Sequence, residues 1–157
     1  MRATSLASPA LSATLVLLLA ACAGAGPEPL RWGEASCRHC HMTLADRRFG
    51  AEVITTRGRA LPFDDAGCAA EHLSTGGTPA AEVSSVWVID YTHPDSLIAA
   101  DGAVFVRSST FHTPMGSGVV ATPDSVAAAA LAHETGGRVM RWSEVLAAAK
   151  AGELRPH

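Results

Sequence analysis

Hydrophobic residues in this 157-residue chain fall into short runs separated by polar, Gly- and Pro-containing turns. Residues 49–56 have strand composition, Arg57-Gly58 forms a hairpin-like turn, and residues 60–63 make a second strand. Pro62 cannot donate to a ladder, so that strand belongs at a sheet edge or a bulge. Asp64 and Asp65 stand where a helix over 66–73 needs its cap. A loop with Gly76-Gly77 leads to the most apolar strand, 83–91. The second part repeats the order: a strand at 103–107, a turn region at 108–118 and a strand at 119–121. Next comes a helix with Thr122 as N-cap and Pro123 as first helical residue, running to about 134 and stopping at Gly136-Gly137. A strand at 138–140 and a terminal helix from 142 complete the chain. Each half reads strand, strand, helix, strand. The expectation is an α+β domain of two similar ββα-type halves, spanning 34–150, with a tail at 151–157.

One apolar run differs. After Arg2 an apolar core runs roughly over residues 11–20, shorter than the roughly 20 residues a spanning helix needs. The run ends in Leu19-Ala20-Ala21-Cys22, which resembles the lipobox of bacterial lipoproteins. That resemblance implies a signal peptide over 1–21, cleavage before Cys22 and a lipid on its thiol. Ala23 in place of Asp favours the outer membrane if the host is Gram-negative. Residues 22–33 then read as a flexible tether holding the domain at the periplasmic face of a membrane. The net charge of −3 and the lack of any Lys/Arg cluster point away from nucleic acid.

The chemistry gathers in Cys37-Arg38-His39-Cys40-His41-Met42. With Cys22 lipidated, Cys37, Cys40 and Cys68 remain, an odd number of thiols for an oxidising compartment. Thiolates and thioethers suit Cu(I), and zinc sites rarely use Met, so Met42 favours copper. Met115 lies in a polar Thr-Pro-Met-Gly turn rather than in an apolar pattern, again where a ligand is expected more than a packing residue. Met140, inside a strand, reads as core. Other readings stay open. Cys37 and Cys40 can serve thiol–disulfide exchange, or close a plain disulfide once exposed to the periplasm without metal. Cys37, Cys40, Cys68 and His72 can form a structural zinc site in an adaptor module. No nucleophile–base pair or carboxylate dyad marks an enzyme.

Lipobox, Cys-x-x-Cys-x-Met, Phe63-Asp64-Asp65-x-x-Cys68, Trp87-Val88-x-Asp90-Tyr91, Pro114-Met115-Gly116 and Gly136-Gly137 occur in this order. The set resembles the NosL family of accessory lipoproteins for nitrous oxide reductase. The resemblance implies a monomeric, periplasmic Cu(I) chaperone that supplies the assembly machinery of a copper enzyme. It carries Cys40, Met42 and Met115 over as ligands, with Cys68 matching a recurring Cys. This chain departs from the pattern in having His41 where many members have Gly, and Cys37 where many have no equivalent.

Overall fold

The computed structural model describes residues 26–154. The expected signal segment, Cys22 and residues 155–157 lie outside the described residues. Among the described residues, two antiparallel sheets, three α-helices and one 3-10 turn at Ala80–Glu82 make up the fold. Strands β1 (Ala51–Thr55), β2 (Ala60–Phe63), β3 (Val83–Ile89) and β4 (Leu97–Ala99) form one sheet in the order β2-β1-β3-β4. Strands β5 (Val104–Arg107), β6 (Val119–Thr122) and β7 (Arg138–Met140) form the other in the order β6-β5-β7. Helix α1 (Ala66–Ser74) follows β2, α2 (Ser125–Thr135) follows β6, and α3 (Trp142–Lys150) closes the chain.

The two halves share a topology. In each, a hairpin is followed by a helix, and the next strand returns antiparallel to the first strand of the hairpin. The α+β class and the paired halves read from the order of elements are therefore observed. The sheets meet through a parallel bridge between Asp90 and Ala121, where the Tyr91 N–H donates to Ala121 O at 2.9 Å. Pro62 lies in β2, an edge strand as expected.

The main core draws on both halves: Val53, Phe63 and Val88 from the first sheet, Phe105, Val119 and Met140 from the second, and Val145 from α3. Each such side chain contributes about 1.5–3 kcal/mol through burial. Helix α1 packs against α3. A smaller cluster of Phe49, Val104, Val106, Phe111, Val120 and Ala128 lies under α2.

Strand β1 is buried on both faces, so its sequence does not alternate. The segment entering the domain supplies the cover. The Glu28 N–H donates to Glu52 Oε2 at 2.9 Å, and a Cβ on Gly50 would stand 2.5 Å from both Leu30 and Trp32. Leu30 and, at the other terminus, Leu154 are both buried in the main core.

Two sequence expectations need correction. Helix α2 is capped by Asp124, whose side chain accepts from the Val126 and Ala127 N–H groups at 2.9 Å. Thr122 is instead the last residue of β6, fully buried, with its hydroxyl donating to Val104 O at 2.7 Å. Pro123 accordingly precedes the cap. The long strand ends at Ile89, and its edge carries the unanticipated β4.

Candidate metal centre

Residues 36–43 form a closed loop tied at its base by a bridge between Ser36 and Thr43. Inside it the Cys37 N–H donates to Met42 O at 2.8 Å and the His41 N–H to Cys37 O at 3.0 Å. His41 takes φ +64°, the left-handed conformation that lets so short a loop reverse. That conformation favours glycine, so the histidine at this position carries a backbone cost. The Arg38 N–H donates to Pro62 O at 2.8 Å, pinning the loop to edge strand β2. Strand β2 then delivers Asp64, and Asp65 caps α1 by accepting from the Cys68 N–H at 2.7 Å.

This path brings Cys37, Cys40, Asp64 and Cys68 together, with their donor atoms all within 4.8 Å of one another. Cys37, Asp64 and Cys68 are 1–2% exposed; Cys40 is half-buried at the edge. Cys37, Cys40 and Cys68 are all free thiols. The Cys40 thiol donates to Asp64 Oδ2 at 3.2 Å, while Asp64 Oδ1 is buried with no hydrogen-bond partner among the described residues.

The thiols differ in acidity. Cys37 is lowered to about 6, chiefly because the Cys68 thiol hydrogen-bonds to its sulfur and neighbouring backbone groups also favour the anion. Cys68 is pushed up, first by that bond to Cys37 and then by burial. Burial, with Asp64 and Cys37 beside it, pushes Cys40 up to about 12. Among the three thiols, Cys37 is therefore the first to lose its proton.

Neither predicted thioether is buried among the thiols. Met42 is 55% exposed at the end of the Cys loop, and Met115 is 38% exposed. The Met115 turn is nonetheless fastened to the end of α1 that carries Cys68. The Met115 N–H and Ser117 hydroxyl both donate to Asp65 Oδ2 at 3.3 Å. The fit is close, since a Cβ on Gly67 would stand 2.3 Å from Ser117 Cβ.

His72 does not join the cluster, so the alternative zinc set of Cys37, Cys40, Cys68 and His72 is not assembled as such. One turn along α1 carries it about 6 Å away. There its Nε2 pairs with Thr78 Oγ1 at 2.9 Å, and its ring packs on Phe63. Asp64 is the fourth member instead, a residue that sequence reasoning assigned to capping. The usable signal was the doublet itself: one carboxylate caps a helix, leaving its neighbour unexplained. His39 pairs with Glu71 at 3.1 Å.

These features define a small α+β domain with a cysteine-rich cluster able to hold a metal ion. The sequence profile named NosL matches residues 32–149, and the chain belongs to the NosL family. The crystal structure of the copper chaperone NosL from Shewanella denitrificans superimposes with a TM-score of 0.62 at 20% identity, covering 75% of this chain and 96% of that one. At that identity the likeness is one of fold. No curated protein matches the chain by sequence.

Proposed function

We propose that this protein is a lipid-anchored periplasmic metallochaperone. Its cargo is Cu(I), held by ligands drawn from Cys37, Cys40, Met42, Cys68 and Met115. It passes the ion to the assembly of a copper enzyme such as nitrous oxide reductase. The observation that carries the reading is the three-thiol cluster with one member, Cys40, at its edge. Buried sulfur retains a soft ion, and an edge sulfur with exposed thioethers nearby lets an incoming ligand attack without unfolding. The copper-chaperone description of the Shewanella denitrificans relative and the lipobox-like signal support it.

The test is a competition titration against a Cu(I) chelator, with reduced protein under anaerobic conditions. Cys40→Ser should abolish binding, and Met42→Leu and Met115→Leu should weaken it. Cys68→Ser and His41→Ala should have smaller effects. Leu keeps Met's volume, so packing changes stay below about 1.5 kcal/mol and do not mimic lost ligation. Methionine variants that hold Cu(I) like the wild type would remove Met42 and Met115 from the ligand set, and if Cys68→Ser also abolished Zn(II) binding the zinc-module reading would replace the copper one. Cu(I) uptake by the fully oxidised protein equal to that of the reduced form would exclude the thiols as ligands. For the client, loss of copper from nitrous oxide reductase in cells carrying Cys40→Ser is the expected result.

A further inference from the structure

One donor in the cluster is not sulfur. Asp64 is 2% exposed, one of its oxygens faces the Cys40 thiol, and the other is buried without a hydrogen-bond partner among the described residues. A buried polar atom without a partner is costly, and an ion is one of the few things that satisfies it. Cu(I) is a poor match for a carboxylate oxygen. Divalent ions of borderline softness, such as Zn(II) and Co(II), accept thiolate and carboxylate together.

The spacing agrees. Bonds of about 2.3 Å to sulfur and 2.0–2.2 Å to oxygen set tetrahedral donors roughly 3.5–3.8 Å apart. The four donors already lie within 4.8 Å of one another, so closing on an ion takes a contraction of about 1 Å. Three come from the loop before β1 and the residue after β2, and the fourth from the first turn of α1. Hydrogen bonds already join these segments, from the Arg38 N–H to Pro62 O at 2.8 Å and from the Cys40 thiol to Asp64 Oδ2 at 3.2 Å. Only Cys40 reaches the surface, so the ion has an entry point but little room for a fifth ligand.

The structure assigns to Cys37, Cys40, Asp64 and Cys68 a four-coordinate site, three sulfurs and one oxygen, for a borderline divalent ion of the zinc class. It shares its thiols with the copper cargo and does not use the methionines. The two ions therefore compete for one cluster. The inference rests on the same cluster as the copper reading but on a different fourth donor, so the two can fail separately.

Cobalt(II) is the probe, titrated into reduced, full-length protein in detergent. The expected spectrum has intense tetrahedral d–d bands and thiolate-to-cobalt charge transfer, saturating at one equivalent and abolished by one equivalent of Zn(II). Asp64→Asn should weaken Co(II) by more than the roughly 10–100-fold that losing an outer partner costs. Met42→Leu and Met115→Leu should leave the cobalt spectrum unchanged while weakening Cu(I). Zinc-edge X-ray absorption of the wild type should show three sulfurs and one light atom, without imidazole outer-shell scattering. That measurement decides the matter if Asp64→Asn does not fold. A weak octahedral cobalt spectrum, an imidazole signature, or unchanged Co(II) affinity in a folded Asp64→Asn protein would overturn the assignment.

Discussion

Three thiols in one cluster differ in acidity, and the differences set a pH profile. Cys37 is lowered to about 6, so between there and the ordinary thiol range near 8.5 the unfolded chain binds the extra proton. Stability of the reduced, metal-free protein should rise with pH across that window. Cys40 and Cys68 are raised, so above the ordinary thiol range the folded state holds the extra protons and stability should fall. Urea midpoints measured against pH should pass through a maximum. His72, lowered by burial, adds a rise of the same sign just below about 6.5. The part of the rise missing in Cys37→Ser is the thiol's own. A flat profile, or one unchanged in Cys37→Ser, would contradict this account. His41 offers a second test at this scale. Its side chain is exposed and its backbone left-handed, so His41→Gly should stabilise the fold by about 1 kcal/mol, read from the same denaturation curves. Asp64 marks the limit of residue-level reading. Its role depends on a loop that begins 27 residues earlier, at Cys37, and no local pattern reports that meeting.

Among the elements, those with strong local signals were legible. The hairpin of β1 and β2, with Pro62 on the edge strand, follows from strand composition and a Gly turn. Helix α1 follows from its acidic cap, and Gly136 at φ +62° ends α2 as the Gly-Gly signal requires. Strand β4 was not legible. Its three half-buried residues carry no period and are strands only because β3 offers an edge in register, Trp87 to Ala99 through Ile89 to Leu97. The start of α2 misled because Thr122 and Asp124 both have capping side chains; the depth of β6 takes the threonine and leaves the aspartate. Asp124→Ala should therefore cost about 0.5–2 kcal/mol by thermal denaturation, whereas Asp124→Asn should cost little. Equal losses in the two variants would point to charge rather than capping.

At the scale of the molecule, the repeated topology is asymmetric in what it carries. The first half supplies every cluster donor; the second supplies the long β5–β6 connection with Met115. Asp65 joins them, capping α1 with one oxygen and holding the Met115 turn with the other. A link between halves of this kind does not follow from the order of elements, which is why the sequence located Met115 as chemistry but not its place. The proposed lipid anchor belongs to this scale as well. If Cys22 bears lipid, residues 22–27 reach at most about 20 Å, and the domain works against the membrane surface. Cys22→Ser should move the protein from the membrane to the soluble periplasmic fraction without altering its Cu(I) affinity. Retention of the variant in membranes would refute lipid anchoring.

The single half-open position of Cys40 also has a kinetic meaning. If an ion sits among the three thiols as proposed, it is reached past Cys40, the one thiol of the cluster that is not buried, so release to water and handover to an acceptor sulfur share one narrow route. Spontaneous loss must break several bonds before any is replaced, whereas an acceptor replaces them one at a time. Transfer should then be second order, its rate climbing linearly with acceptor concentration from a very small intercept. The cluster would thus act as a gate that opens at a rate set by the recipient.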